Sequence, residues 1–197
     1  LLLFALANGR VNSMFNRYFS FSKNNSLDTV AKIICASVFL CLLCPLKLLV
    51  QSPIPITLQS FAVILVAISL GSRIGFASAL IYVVLGIGGV PVFAGYNSGI
   101  EIVLGPSMGF FLGFLLTSPI IGYSAERKEN PSPLFILRLW FWGHIIIIFC
   151  GIFFIRQEGD GDWRFLQFII PGAVVKIIVG SISTYFLLKF FMRKKFN

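Results

Sequence analysis

Long apolar runs separated by short polar connections constrain this chain more than any other feature of its sequence. A helix needs about 20 predominantly apolar residues to cross the hydrocarbon core of a bilayer. Only 12% of the residues are charged, about half of the proportion usual in a soluble domain. The sequence therefore predicts an all-α integral membrane protein, and a soluble enzyme is excluded. The six predicted transmembrane helices cover residues 30–50, 56–70, 74–90, 107–124, 134–155 and 166–190.

The segment before the first predicted helix is harder to assign. Its first apolar stretch, residues 1–7, is too short to span a membrane. We interpret residues 1–28 as a tail, either an amphipathic helix lying in the membrane interface or a disordered segment, and residues 29–197 as the transmembrane domain. The helical alternative depends on apolar side chains that recur at helical spacing, namely Val11, Met14, Phe15, Tyr18 and Phe19.

The distribution of Lys and Arg predicts how the helices are oriented. Of the 16 basic residues, twelve lie at or beyond the helix ends of one side. Only Lys47, Arg156 and Arg164 lie on the other side, while Lys176 falls inside the last helix. Because Lys and Arg are enriched in cytoplasmic loops, both termini are predicted to be cytoplasmic. This bias also explains the net charge of +9, so a nucleic acid partner is not expected.

The external side carries the least regular sequence. Residues 91–106 read PVFAGYNSGIEIVLGP and form the longest connection between predicted helices. Pro45 and the glycines around Gly89 interrupt apolar runs at the same side. Such residues are tolerated in a membrane helix where neighbouring helices or a cavity satisfy the freed backbone groups. A binding cavity that opens to the outside is therefore predicted near Pro45 and Gly89.

Catalytic and metal-binding motifs are not found. The sequence contains no GxxxxGK[ST] motif for nucleotide phosphates, no HExxH motif and no Ser-His-Asp arrangement at a recognisable spacing. The four cysteines lie in hydrophobic segments, and His144 is the one histidine of the chain. A structural zinc site is therefore not expected. We predict neither enzymatic activity nor a cofactor, and we interpret His144 as a core residue with satisfied hydrogen bonds.

Lys176 is the most informative single residue. An ammonium group in the middle of a membrane helix costs about 2.5 to 3.5 kcal/mol on insertion scales unless it finds a partner. Lys176 shares a helix face with Gly172, Gly180 and Ser183, which leaves room for a ligand. We therefore favour an anionic ligand as its partner. The alternatives are that the side chain extends to the outer lipid headgroups or pairs with an acidic residue of the protein.

Other polar and aromatic residues near the external side are weaker candidates. Gln59 and Tyr82 are typical of hydrogen bonds between helices, and they are also possible ligand contacts. Phe93, Tyr96 and Trp163 lie near the external face. They either cover a small apolar ligand or belong to the aromatic belt of a membrane protein.

Several motifs occur in order along the chain. They are PIPITLQSFAVILVAISLGSRIG (53–75), YVVLGIGGVPVFAG (82–95), LGPSMGFFLGF (104–114), WGH (142–144) and PGAVVK (171–176). With these motifs the chain resembles the BioY family, the biotin-capturing S components of energy-coupling factor (ECF) importers. The resemblance covers about residues 52–183, and it implies six helices, both ends inside and a vitamin pocket near the outer face.

The resemblance also implies which residues contact the ligand. The carboxylate of biotin is expected near the Lys of the family's PGDxxK motif, which matches Lys176, and its ureido ring is expected near polar groups of the other helices. The Asp of that motif is replaced by Ala173, so that Lys176 depends more on the charge of the ligand unless an acid such as Glu101 substitutes. The expected ligand contacts are Lys176, Gly172, Ala173, Gln59, Tyr82 and Phe93, together with Gly95, Tyr96 and Asn97 of the external loop.

Partners follow from the same resemblance. Transport in the family is powered by a separate transmembrane coupling protein and two ATPase subunits, in agreement with the missing nucleotide-binding motif. In the first helix, Ala31, Cys35 and Ala36 are expected to provide a small-residue face for the coupling protein. The location is expected to be the cytoplasmic membrane. Two alternatives stay open: an S component for another vitamin with a carboxylate, or a membrane protein that assembles a complex without binding a solute.

Overall fold

A computed structural model describes residue 21 and residues 25–48, 56–157 and 166–194. The predicted tail, residues 1–28, therefore lies almost entirely outside the described residues. Seven helices and two very short strands follow one another along the described chain. They are α1 (Asn25–Leu43), β1 (Lys47–Leu48), β2 (Ile56–Thr57), α2 (Gln59–Leu70), α3 (Ser72–Ile87), α4 (Ile100–Leu104), α5 (Met108–Glu126), α6 (Pro133–Gln157) and α7 (Leu166–Lys194).

The six long helices lie where the sequence predicts them, but the connection after the first one differs. Helix α1 begins earlier than predicted and ends at Leu43 instead of residue 50. Pro45 explains this end, because proline has no N–H and the residue before it disfavours the helical conformation. Lys47–Leu48 then pairs as a strand with Ile56–Thr57, in antiparallel register. The prediction of helix over residues 47–48 and 56–57 was wrong.

Four helices have the length and the apolar composition needed to cross a membrane: α1, α5, α6 and α7. The chain is thus a multi-pass membrane protein with an all-helical core. Helices α2 and α3 have 12 and 16 residues, which gives them lengths of about 18 and 24 Å. The hydrocarbon core is about 30 Å thick. Whether these two shorter helices cross the membrane stays a prediction, as does the cytoplasmic location of the termini.

Helix α2 occupies the centre of the bundle, because it contacts each of the other long helices. Small residues allow the close approach of neighbouring helices. Gly75 of α3 lies against Ala67 of α2, and a Cβ atom placed at Gly113 of α5 would lie 2.9 Å from the Cα atom of Ile147 in α6. These contacts bring the helices together along most of their length and leave space at one end.

The end opposite to that space is closed by a polar contact between two helices. The Glu126 carboxylate at the end of α5 accepts hydrogen bonds from the backbone N–H of Ser72, at 2.7 Å, and from its hydroxyl, at 3.0 Å. An acidic group is favourable at the start of a helix, where the N–H groups have no partner within the helix. The contact therefore anchors the start of α3 to the end of α5.

The connection from α3 to α5 folds over the open end of the bundle. A tight turn brings the Phe93 N–H to the Asn97 carbonyl at 2.9 Å, and Gly95 within this turn has a φ of +74°. The N–H of Gly95 donates to the Pro45 carbonyl at 2.8 Å. The connection is thereby attached to the segment that follows α1.

Candidate functional site

The space at the open end is a cavity of about 330 Å³ between α2, α5, α6, α7 and the connection around residues 93–107. It lies at the end that carries Pro45 and Gly89, where the sequence predicts a binding cavity. Its volume falls at the lower end of the range typical of small-molecule sites. The lining combines apolar side chains with a few polar ones, as such sites usually do.

Aromatic rings form one wall of the cavity. Phe93 and Phe111 lie with their ring centroids 4.7 Å apart, and Phe114 makes an edge-to-face contact with Phe111 at 5.8 Å. Tyr82 makes an edge-to-face contact with Phe93 at 5.7 Å from behind this wall. Phe93 therefore lines the cavity as predicted, whereas Tyr82 is fully buried and supports it without lining it.

Lys176 extends into the cavity from α7. Its ammonium group donates to the Ser60 hydroxyl at 2.7 Å and to the Thr57 carbonyl at 3.3 Å. Both partners are neutral, and no Asp or Glu occurs among the described residues that line the cavity. The hydrogen bonds therefore satisfy part of the ammonium group without neutralising its charge. Gly172 and Ala173 are buried beside it and line the same cavity.

Gln59 lines the cavity, but its amide group is used within the protein. Its nitrogen donates to the Tyr82 hydroxyl at 2.7 Å, and its oxygen accepts from the Thr57 hydroxyl at 3.3 Å. The hydrogen bond to Tyr82 joins α2 to α3, as the sequence favours. Gln59 thus holds the cavity wall in place while it remains exposed to the cavity interior.

The predicted contacts in the external loop separate into two groups. Asn97 lines the cavity and donates from its amide nitrogen to the Ala94 carbonyl at 2.9 Å. Gly95 packs so closely on the Lys47 side chain that a Cβ atom would overlap it. Tyr96 occupies the tip of the turn with a φ of +62° and is 65% exposed, outside the cavity lining. Glu101 is also exposed and does not line the cavity.

Five polar residues of the cavity lining were not predicted as ligand contacts, namely Lys47, Thr57, Ser60, Ser107 and His144. Lys47, an exposed residue of β1, lines the cavity, although the sequence predicts it only as a residue of the external end of the first helix. His144 lines the cavity from α6 and is 2% exposed. Its position within an apolar run was a signal available in the sequence, but the same signal is typical of a core histidine.

The small residues of α1 do not form one exposed face. Cys35 is exposed, Ala31 is half-buried and Ala36 is 4% exposed. Cys35 and Ala36 line a shallow groove of about 300 Å³, which also contains Lys32. This groove lies between α1, α2 and the last part of α7, away from the residues that line the cavity.

A cavity of this kind within a helical membrane bundle defines a class of protein: an integral membrane protein that binds a small solute. The BioY family model matches residues 16–193. The chain belongs to the BioY family, and the curated relatives reported below are named as transporters.

Similar proteins agree with this assignment. The chain is 32% identical over 167 residues to the biotin transporter BioY2 of Lactococcus lactis subsp. cremoris, covering 83% of this chain and 90% of that protein. It is 29% identical over 184 residues to the probable biotin transporter BioY of Rickettsia prowazekii, covering 87% and 92%. The fold matches a crystal structure of the S-component for biotin from an ECF-type ABC transporter, with a TM-score of 0.73 and 23% identity over 86% of this chain and 95% of that one.

Proposed function

We propose that this chain captures biotin for uptake across the cytoplasmic membrane, as the substrate-binding subunit of an ECF-type importer. The family, the biotin transporters to which the chain is similar and the fold of a biotin S-component support this proposal. The single observation that carries it on the chain itself is the state of Lys176, which lines a ligand-sized cavity and has only neutral partners among the described residues.

Lys176 is the residue expected to bind the carboxylate of biotin. A cation removed from water is stabilised strongly by an opposite charge, because the electrostatic interaction grows as the local dielectric constant falls. The Ser60 hydroxyl and the Thr57 carbonyl use two of the three hydrogens of the ammonium group. A carboxylate in the cavity would accept the third hydrogen and neutralise the charge.

The rest of the lining suits the apolar body of the same ligand. Phe93, Phe111 and Phe114 provide aromatic surface for a thioether ring and a methylene chain. Gly172 and Ala173 have little or no side chain, which leaves room next to Lys176. The site thus combines one charged contact with apolar walls, as is typical of binding sites for small molecules.

The energy for transport is proposed to come from a separate transmembrane coupling protein and two ATPase subunits, since the sequence contains no nucleotide-binding motif of its own. The groove of α1 that contains Cys35 is the proposed contact for the coupling protein, with Ala31 and Ala36 beside it. Ala36 can contribute to this contact only at the floor of the groove, because it is 4% exposed.

The proposed orientation places the cavity at the outer face of the membrane, with both termini in the cytoplasm. Single cysteines introduced at positions 97 and 160 of a variant without native cysteines are expected to react with an impermeant reagent added outside. Cysteines at positions 24 and 197 are expected to react only after the membrane has been permeabilised. Labelling of position 197 from outside would reverse the assignment.

Calorimetric titration of the purified protein with biotin tests the proposed function. We expect saturable binding of one biotin per chain. Pantothenate and nicotinate, two other vitamins that carry a carboxylate, are the matched controls and are expected not to compete. Binding of one of these in place of biotin would indicate an S component for another vitamin. Binding of none of them would favour a protein that assembles a complex without a solute.

A further inference from the structure

One buried polar atom of a residue that lines the cavity has no hydrogen-bond partner among the described residues. The Nε2 atom of His144 is buried, and it is the one buried side-chain nitrogen or oxygen of the described residues without a hydrogen bond. His144 lines the same cavity as Lys176. A buried polar atom that lacks a hydrogen bond costs about 1 to 3 kcal/mol, so such an atom on a residue that lines a ligand cavity points to a contact with the ligand.

The other ring nitrogen determines what kind of contact this is. Nδ1 of His144 lies 3.0 Å from the Trp140 carbonyl oxygen. A carbonyl oxygen can only accept, so the hydrogen of a neutral imidazole is on Nδ1. Nε2 then carries a lone pair and accepts a hydrogen bond. The neutral form is favoured because Lys176 already places a positive charge in a cavity whose described lining contains no carboxylate.

The imidazole is held in place by a rigid set of contacts. The Trp140 ring stacks on it, with centroids 6.0 Å apart and an interplanar angle of 24°. Trp140 in turn donates from Nε1 to the Thr184 hydroxyl at 3.1 Å, and its ring lies so close to Gly180 that a Cβ atom there would overlap it. Trp140 and Thr184 are both fully buried. Nε2 is therefore fixed in orientation before any ligand enters, which lowers the entropic cost of binding.

We propose that His144 accepts a hydrogen bond from an N–H group of the ureido ring of the ligand, an inference that depends on the proposed binding of biotin. At neutral pH the carboxylate and the thioether of biotin carry no hydrogen that can be donated. The two ureido N–H groups are the only donors of the molecule, so an acceptor in the site must bind this ring. Ala173, next to Lys176 in the same lining, provides no acceptor of its own. His144 is thus a residue that determines specificity for a cyclic urea.

The test compares three ligands in two proteins. The ligands are biotin and the pair of isosteric analogues in which one or the other ureido N–H is replaced by CH₂. In the wild-type protein, we expect one of these analogues to bind about tenfold more weakly than biotin, which is the effect of one net hydrogen bond to a buried acceptor. In His144→Phe, which keeps an aromatic ring but removes the acceptor, biotin is expected to bind about tenfold more weakly, and the difference between biotin and the weaker analogue is expected to disappear.

This design separates a ligand contact from a structural role. If His144→Phe weakens binding of biotin and of both analogues equally, so that the wild-type preference persists, His144 only supports the fold and the proposal is wrong. An unchanged affinity for biotin would also overturn it. If His144→Phe does not fold, His144→Met takes its place with the same measurements, because the flexible thioether side chain fills irregular space. Failure of the wild-type protein to bind biotin would contradict the proposed function instead of this assignment.

Discussion

Two lysines in the helical core of this protein are stabilised in different ways. Lys32 of α1 is 3% exposed, and its ammonium group pairs with the Asp28 carboxylate one turn earlier, at 2.6 Å. Among the described residues, the hydrogen-bond acceptors of Lys176 of α7 are the Ser60 hydroxyl and the Thr57 carbonyl. Both lysines lie beside open space of similar size, a groove of about 300 Å³ for Lys32 and a cavity of about 330 Å³ for Lys176.

The two lysines differ in whether the protein itself provides a counter-charge, and this difference indicates which of them is suited to bind an anionic ligand. Lys32 has its counter-charge within its own helix, so the ion pair is complete without a further molecule. Lys176 has hydrogen bonds but no counter-charge among the described residues. In our proposal, the carboxylate of the ligand supplies this counter-charge. The cost of burying an ammonium group is thus offset in α1 by the protein and, in our proposal, in α7 by the ligand.

Alanine substitutions of the two lysines should separate their roles most clearly. Lys176→Ala is expected to weaken biotin binding by at least about tenfold, because the ligand carboxylate is then desolvated without a counter-charge. Lys32→Ala is the matched control. It is expected to lower the melting temperature, because Asp28 loses an ion pair, and to leave biotin affinity unchanged. Titration in detergent and thermal unfolding measure the two effects, and a folded Lys176→Ala variant with full affinity would contradict the comparison.

Removal of one neutral partner of Lys176 should have a smaller effect. Ser60→Ala deletes the hydroxyl that accepts from the ammonium group at 2.7 Å. We expect biotin affinity to fall about threefold, because Lys176 is then held less firmly while its charge remains. Ser69→Ala, on the same helix but next to the groove of Lys32, is expected to have no effect. Equal titration curves for Ser60→Ala and the wild type would indicate that Ser60 does not position Lys176 for the ligand.

An acid introduced next to Lys176 should make it resemble Lys32. Ala173 is buried in the cavity lining, three residues before Lys176 on the same helix, so that Ala173→Asp places a carboxylate within reach of the ammonium group. We expect weaker or unchanged biotin binding, because the new acid competes with the ligand for the charge and must itself be desolvated. A clear gain in affinity would show that Lys176 does not depend on the ligand for its counter-charge.

The sequence predicts the helices of this protein well, because an apolar run long enough for a membrane helix is a local signal. The exceptions are equally local in origin. Pro45 ends α1 earlier than predicted, and the two-residue strands after it contain no alternating pattern that would indicate a strand. Lys176 was also identifiable from the sequence alone, since a charge within an apolar run stands out whatever the fold.

The remaining site residues depend on contacts between distant segments. Lys47 lines the cavity at a place where Gly95, 48 residues later in the chain, packs on its side chain. The acceptor role of His144 depends on its Nδ1 contact with Trp140 and on the approach of α7 through Gly180. The burial of Ala36, which is 4% exposed at the floor of the groove that Cys35 also lines, depends likewise on how the other helices pack on α1. Of these contacts, only the one between His144 and Trp140, four residues apart in α6, follows from spacing along a single helix.

The most direct test of the role of Lys176 is a comparison of biotin with its uncharged amide, in the wild-type protein and in Lys176→Ala. The two ligands differ in the charge at the end of the side chain and share the ureido ring. We expect the wild type to bind biotin at least about tenfold more tightly than the amide, and Lys176→Ala to bind the two with similar affinity, because the counter-charge that distinguishes them is gone. If Lys176→Ala lowers the affinity for biotin and for the amide by the same factor, Lys176 does not bind the carboxylate. The proposal that the ligand supplies the counter-charge of Lys176 is then wrong.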